Sequence, residues 1–183
     1  MTIAVKDYSV ELVSDAQAFQ MVLAVRCQAF HDEDLEEEID GNDYCSTHFL
    51  IRDVNRKPVA ALRWRDLGNS CAIWERWAIT PRARGDIKLF RLLAEVAEEY
   101  SKFKGIRRAY GSATNPKKIK YWKAFGARET GNVVTYGGKS YFEMVKDLPL
   151  SNTGPSEDEI HRIEASRFFN WTKSESWQEC KAV

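Results

Sequence analysis

Apolar and polar residues alternate from residue 3 to residue 13 (Ile3, Val5, Tyr8, Val10, Leu12), the period-2 signature of a half-buried strand. Past Ser14 and Asp15, either of which can cap a helix, the period lengthens, and Phe19, Val22, Leu23, Cys27 and Phe30 recur at helical spacing. An acidic stretch from Asp32 to Asp43 follows. Two strand candidates come next, His48 to Val54 and Pro58 to Trp64, joined by Asn55-Arg56-Lys57, which is short enough for a hairpin. Gly68-Asn69-Ser70 then turns the chain into a strand from Cys71 to Ile79. The pattern so far predicts one strand, helical material and an antiparallel meander.

The period changes again at Thr80-Pro81-Arg82-Ala83-Arg84-Gly85, where the apolar strand breaks and an amphipathic run from Asp86 to Phe103 begins. Leu89, Leu92, Leu93, Val96, Ala97 and Tyr100 fall on one helical face, and Lys104-Gly105 supplies a glycine stop. A strand from Arg107 to Ala113 comes next. Asn115-Pro116 opens another helix with proline in its first turn, and Phe125-Gly126 closes it. Strands at about Val133 to Tyr136 and Ser140 to Val145 flank Gly137-Gly138. A strand-helix-strand unit implies a parallel pair and the flanking hairpins antiparallel ones, so the expected sheet is mixed. From Pro149 the texture becomes that of a linker, Ser151-Asn152-Thr153-Gly154-Pro155, and Ser156 with Glu159 forms a capping-box pattern for a last helix carrying Ile160, Ile163, Phe168 and Trp171. The expected organisation is one domain over residues 1–148 and a linker with a helical appendage over 149–183.

Composition narrows the classes. With 183 residues, 44% of them hydrophobic, the chain can bury a core of its own. Formal charge is zero, so any interaction driven by charge must come from local segregation. Cys27, Cys45, Cys71 and Cys180 lack CxxC spacing, and His31, His48 and His161 are scattered, so no zinc pattern exists and the thiols read as reduced. No charged-then-apolar leader and no apolar run near 20 residues occurs, which gives a cytoplasmic expectation with no membrane partner.

An apolar strand ending in a Pro/Gly/Arg turn that opens a helix gathers unpaired backbone N–H groups, a ready place for a phosphate. The element order, the turn at Pro81 to Gly85, the helix begun by Asn115 and the closing hairpin together resemble the GNAT superfamily of N-acyltransferases. The likeness spans about residues 3–147 as a topology, and its specific parts are Trp74 to Tyr100 and Asn115 to Gly126. It implies a mixed, mostly antiparallel sheet flanked by helices, with the C-terminal extension outside it. It also implies acetyl-coenzyme A or another acyl-coenzyme A as co-substrate, an amine-bearing substrate and no metal. Glu75-Arg76 and the phrase Tyr136 to Met144 look like small bacterial acetyltransferases and also like the N-acyl amino acid synthase branch, which takes its acyl group from an acyl carrier protein.

Carried over position by position, the resemblance puts the pantetheine arm against the backbone of Trp77, Ala78 and Ile79. It puts the phosphates against Arg82, Arg84, Gly85, Asp86, Ile87 and Lys88. The two positions the family fills with glycine hold Ile87 and Leu89, and a carrier-protein donor, with one phosphate and no nucleotide, needs those glycines less. An attacking amine must lose a proton and a departing thiolate gains one. Glu75 is the candidate base; the family's usual acid, a tyrosine, is replaced by Trp122, and Tyr121 beside it is the candidate acid, about 100° around the helix. Asn115 is placed to cap its helix and touch the donor arm. Each of these residues has a plainer structural reading: Glu75 in a surface ion pair, Tyr121 and Trp122 as packing aromatics, Asn115 as a cap.

Charge is segregated along the chain. Between Tyr100 and Arg128 there is no acid, while Lys102, Lys104, Arg107, Arg108, Lys117, Lys118, Lys120, Lys123 and Arg128 supply nine bases. Such a block suits a nucleotide phosphate, the acidic surface of a carrier protein or, third in order, nucleic acid, for which the interleaved aromatics would serve; a solvated face is the alternative. The run Asp32 to Asp43 would form an acidic rim that concentrates cationic amines, or else a solvated loop. Its contiguous acids lack the ligand spacing of a calcium loop. The aromatic tail would pack over the domain or against a second copy, giving a homodimer.

Overall fold

A computed structural model of the chain describes residues 2–5, 7–31, 39–136 and 139–149. The acids at 32–38, the turn at 137–138 and everything from 150 onward, including the expected C-terminal helix and its dimer, lie outside the described residues. Eight strands form one sheet in the order β1-β2-β3-β4-β5-β6-β8-β7. They are β1 (Thr2–Val5), β2 (Tyr8–Leu12), β3 (Thr47–Asp53), β4 (Pro58–Gly68), β5 (Cys71–Ile79), β6 (Arg108–Ala113), β7 (Arg128–Tyr136) and β8 (Lys139–Asp147). Three α-helices accompany them: α1 (Ala16–Ala29), α2 (Ile87–Phe103) and α3 (Pro116–Ala124). Two 3₁₀ turns lie at Gly41–Cys45 and Pro81–Ala83.

The single strand expected over residues 3–13 is in fact a hairpin, with Val5 opposite Tyr8 and Thr2 opposite Glu11. The spacing slips from two residues to three between Val5 and Tyr8, too slight a break to mark the reversal without a glycine or proline there. The remaining strands lie within a few residues of expectation, and β7 starts five residues earlier, at Arg128.

The pleat sorts the core into two layers. Leu50, Ala61 and Ala78 face α1 and meet Ala18, Val22 and Val25. Their neighbours Phe49, Ile51, Ala60, Leu62 and Trp74 face the opposite side and meet Leu89, Leu92, Leu93 and Val96 of α2. Each α2 leucine contributes about 1.5–3 kcal/mol by leaving water, so this face of α2 is fixed far more firmly than its exposed one. Asp15, Asp86 and Asn115 cap the three helices, each accepting a backbone N–H at 2.8–3.0 Å. No helix among the described residues is long and apolar enough to cross a membrane.

Among the described residues one pair of strands is parallel, and it is short. β5 and β6 pair through Cys71–Ile73 and Arg108–Tyr110, after which β5 runs on to Ile79 and β6 to Ala113 without pairing with each other. Two features mark the stretch where they part. Between Arg63/Glu75 and Ala61/Ala78 the register gains one residue on β5, a bulge at Arg76, whose φ is 53°. The Trp122 ring of α3 lies over β6, and a Cβ placed on Gly111 would come within 2.3 Å of that ring and 3.1 Å of the Trp74 carbonyl. Glycine is therefore required at 111 by space alone.

Candidate functional site

Because β5 and β6 run parallel, both end at the same edge of the sheet, and α2 and α3 both start there. The opening between the strands is bordered by two helix N-termini. Its floor is set by backbone direction: Thr80 N–H donates to the Val59 carbonyl at 2.9 Å, so alternation turns the amides of Ile79 and Trp77 away from β4, toward the open side. Ala78 points its side chain into the α1 layer and Ile79 into the opposite one.

An aromatic layer lines the opening on the α2 face. Trp77 lies 5.3 Å from Trp122 and 5.1 Å from Phe90 between ring centroids, Trp122 stacks on Trp74 at 6.0 Å, and Tyr121 meets Phe90 at 5.1 Å. The Ser101 hydroxyl accepts from the indoles of both Trp64 and Trp74, at 2.8 and 2.9 Å. Trp77 Nε1 is buried with no partner. Trp122 is a core residue, while Tyr121 is half-buried beside it.

The basic side chains of the turn expected to hold phosphates make contacts of their own. Arg82 donates to the Pro58 carbonyl at 3.2 Å and lies 3.6 Å from Asp53, Arg84 donates to the Ala29 carbonyl at the end of α1, and Lys88 lies 3.6 Å from Asp7. Gly85, with φ 94°, turns the chain into α2. Asp86 then occupies the helix N-terminus, accepting from Lys88 N–H at 2.8 Å and from the Tyr8 hydroxyl at 2.6 Å. The Tyr8 bond and the backbone N–H groups of Lys88 and Leu89 hold its carboxyl below the ordinary range, and the same bond pushes the Tyr8 hydroxyl up to about 12. Leu89 is sunk in the core, so only the exposed Ile87 side chain stands at the mouth.

On the α1 face lies a cluster of charge that sequence reasoning missed. Glu75 sits directly opposite Arg63, and its Oε1 accepts from Arg63 Nε and Arg65 Nε, both at 3.0 Å. Arg63 also donates to Asp40 at 2.7 Å and to Asp43 at 2.9 Å, Asp43 accepts from Arg26 of α1, and Arg76 donates to Asp40 at 3.0 Å. Burial pulls the pKa of Arg63 down, but Glu75, Asp40 and Asp43 outweigh it and hold the guanidinium above its ordinary value. Asp40 is held far below the usual carboxylate range, Arg63 and Arg76 overcoming its own burial. Asp40 and Asp43 thus face inward and cap the 3₁₀ turn; they are not the exposed acidic rim expected for this stretch. Glu75 and Tyr121, paired as base and acid in the sequence reading, lie on opposite faces of the sheet.

His48 closes the cluster. Its ring is buried, Nε2 lies 2.8 Å from the Asp43 carbonyl, and burial pushes its pKa down to about 4. The unfolded chain takes up this proton below about 6.5 and the folded one only near 4, so stability is complete above 6.5 and falls as pH drops through that window. Between pH 7 and pH 5 the loss should be about 2 kcal/mol. Urea unfolding at the two values measures it, and His48→Gln should flatten the dependence; a wild-type difference under about 0.5 kcal/mol contradicts it.

The basic block is largely paired on its outer members: Lys102 with Glu98 at 2.9 Å, Lys123 with Glu129 at 2.7 Å, and Arg108 and Arg128 both with Asp147 at 2.9 and 3.0 Å. Lys117, Lys118 and Lys120 stand exposed on α3. Among the described residues no group of three or more His, Cys, Asp or Glu could hold a metal ion. Coenzyme A, the donor this fold implies, fits the open edge of β5 at its pantetheine end; at its diphosphate end it meets Asp86.

No protein-family model matches the sequence, and no curated protein matches it. Solved structures do. The fold is that of GNAT acetyltransferases: a family member from Staphylococcus aureus Mu50 aligns with TM-score 0.63 at 11% identity over 76% of this chain and 99% of its own. A candidate N-acetyltransferase from Lactobacillus plantarum aligns with TM-score 0.69 at 17% identity, over 79% of this chain and all of its own. A Vibrio cholerae spermidine N-acetyltransferase in complex with CoA and spermine aligns with TM-score 0.60 at 14% identity, covering 79% and 97%.

Proposed function

We propose that the protein is an N-acyltransferase that moves an acyl group from a pantetheine thioester to a primary amine. The observation that carries this reading is the opening of β5 from β6 after Ile73, which leaves the amides of Trp77 and Ile79 facing the gap where a pantetheine arm could pair with them as a strand would. The amine nitrogen attacks the thioester carbonyl carbon, the C–N bond forms, the C–S bond breaks, and the sulfur leaves as thiolate. Glu75 takes the proton released by the amine. Both of its hydrogen bonds go to Oε1, which leaves Oε2 to take that proton. Tyr121 protonates the thiolate from the other face of the sheet. Asn115 positions α3, and Trp77 and Trp122 enclose the arm and exclude water. The acceptor approaches from the α1 face, past Asp40, and an acetyl group from a coenzyme A or carrier-borne donor is the acyl group this reading takes first.

The test is release of free thiol from acetyl-coenzyme A and from acetyl-pantetheine, with spermine, lysine methyl ester and glucosamine offered as amines and products weighed by mass spectrometry. Amine-dependent release from at least one thioester is expected. If neither thioester is bound or cleaved, the acyltransferase reading falls, and a non-catalytic interaction module built on the same fold replaces it.

A further inference from the structure

The donor specificity of this site rests on the acyl-transfer reading above. We propose that Asp86 selects the donor: its carboxylate turns away a nucleotide diphosphate, and the acyl group arrives on a pantetheine thioester carrying at most one phosphate.

The start of a helix presents N–H groups that call for an anion. In α2 that anion is built in. Asp86 Oδ1 accepts from Lys88 N–H at 2.8 Å, and Oδ2 accepts from the Tyr8 hydroxyl at 2.6 Å. Tyr8 is anchored in β2, opposite Asp53 of β3, so Asp86 is tethered to the sheet as well as to its own helix. A diphosphate brought to these amides would displace a bonded carboxylate and then sit beside its charge.

The neighbouring cations already have partners elsewhere. Arg82, Arg84 and Lys88 are directed to Asp53 and the Pro58 carbonyl, to the Ala29 carbonyl and to Asp7. Ile87, 58% exposed at the first helical position, adds bulk where phosphates need close approach to backbone. The other rim of the opening has the opposite character. Helix α3 carries four lysines and no acid, which suits a single phosphate or the acidic surface of a carrier. The pantetheine portion meets none of these obstacles, since it runs along β5.

The experiment uses the full chain and compares kcat and KM for acetyl-coenzyme A, acetyl-4′-phosphopantetheine and a carrier protein bearing the same acetylated arm, with calorimetry on the unacylated forms. The wild type should use acetyl-4′-phosphopantetheine at least tenfold better than acetyl-coenzyme A, with the difference in KM. Asp86→Asn keeps a capping oxygen and a partner for Tyr8 while removing the charge, and should move that ratio at least tenfold toward acetyl-coenzyme A. A tenfold advantage of the carrier over the free arm that disappears in Lys117→Glu/Lys118→Glu identifies a carrier as the source. Equal use identifies a free thioester, and either satisfies the proposal. Preference for acetyl-coenzyme A in the wild type, or a ratio unmoved by Asp86→Asn, overturns it while leaving acyl transfer standing. Failure of every donor to bind or react overturns both.

Discussion

Replacing Asp43 by alanine should lower the unfolding free energy by about 3–5 kcal/mol, the cost of breaking a buried charge pair from one side. Asp43 is fully buried and is shared by Arg26 and Arg63, themselves 1% and 2% exposed. Alanine removes the carboxylate that both guanidiniums address and leaves two buried charges facing each other. The comparison that decides the size is Arg91–Glu95 on α2, 71% and 52% exposed at 2.7 Å. Deleting that pair should cost no more than about 0.5 kcal/mol, because water takes over both charges. Urea unfolding at pH 7 measures the difference as a shift of midpoint with little change of slope. A loss under about 1 kcal/mol for Asp43→Ala would mean that the cluster contributes little to folding. Activity should fall with stability, since Arg63 is the bridge from Asp43 to Glu75.

Most of the architecture was legible because burial on one or both faces writes itself into the period. Leu89, Leu92 and Leu93 announced α2, and the apolar run Cys71–Ile79 behind the turn at Gly68-Asn69-Ser70 announced β5. The β1–β2 reversal was invisible because no glycine or proline marks it. The bulge at Arg76 was equally hidden: an arginine with φ 53° breaks the usual preference, and its contact with Asp40 joins residues far apart in sequence.

The chemistry was legible in its residue types and misread in their partners. Arg63 and Arg65, two apart on a strand that pairs with β5, had to share a face and could have been matched with Glu75; the signal was present in the hairpin register. Asp40 and Asp43 read as a rim because contiguous acids are usually solvated, yet a 3₁₀ turn folds them under α1 onto arginines distant in sequence. Asp86, one of the residues the resemblance puts against the phosphates, caps its own helix by accepting from the Lys88 amide. Long-range ion pairs of this kind carry no periodicity, so only coordinates reveal them.

Glu75→Gln should reduce kcat and kcat/KM together by about 10²–10⁴-fold, the range for loss of a positioned proton acceptor. Glutamine retains an oxygen that Arg63 and Arg65 can both address, so the hairpin and the bulge should persist. Arg63 keeps Asp40 and Asp43 as counter-charges, which separates this variant from Asp43→Ala, where the cluster itself is lost. Donor affinity should be unaffected because the pantetheine edge of β5 and the α2 N-terminus lie away from the carboxylate. Activity within threefold of wild type would remove Glu75 from the proton path and leave it as the counter-ion that holds two arginines in place.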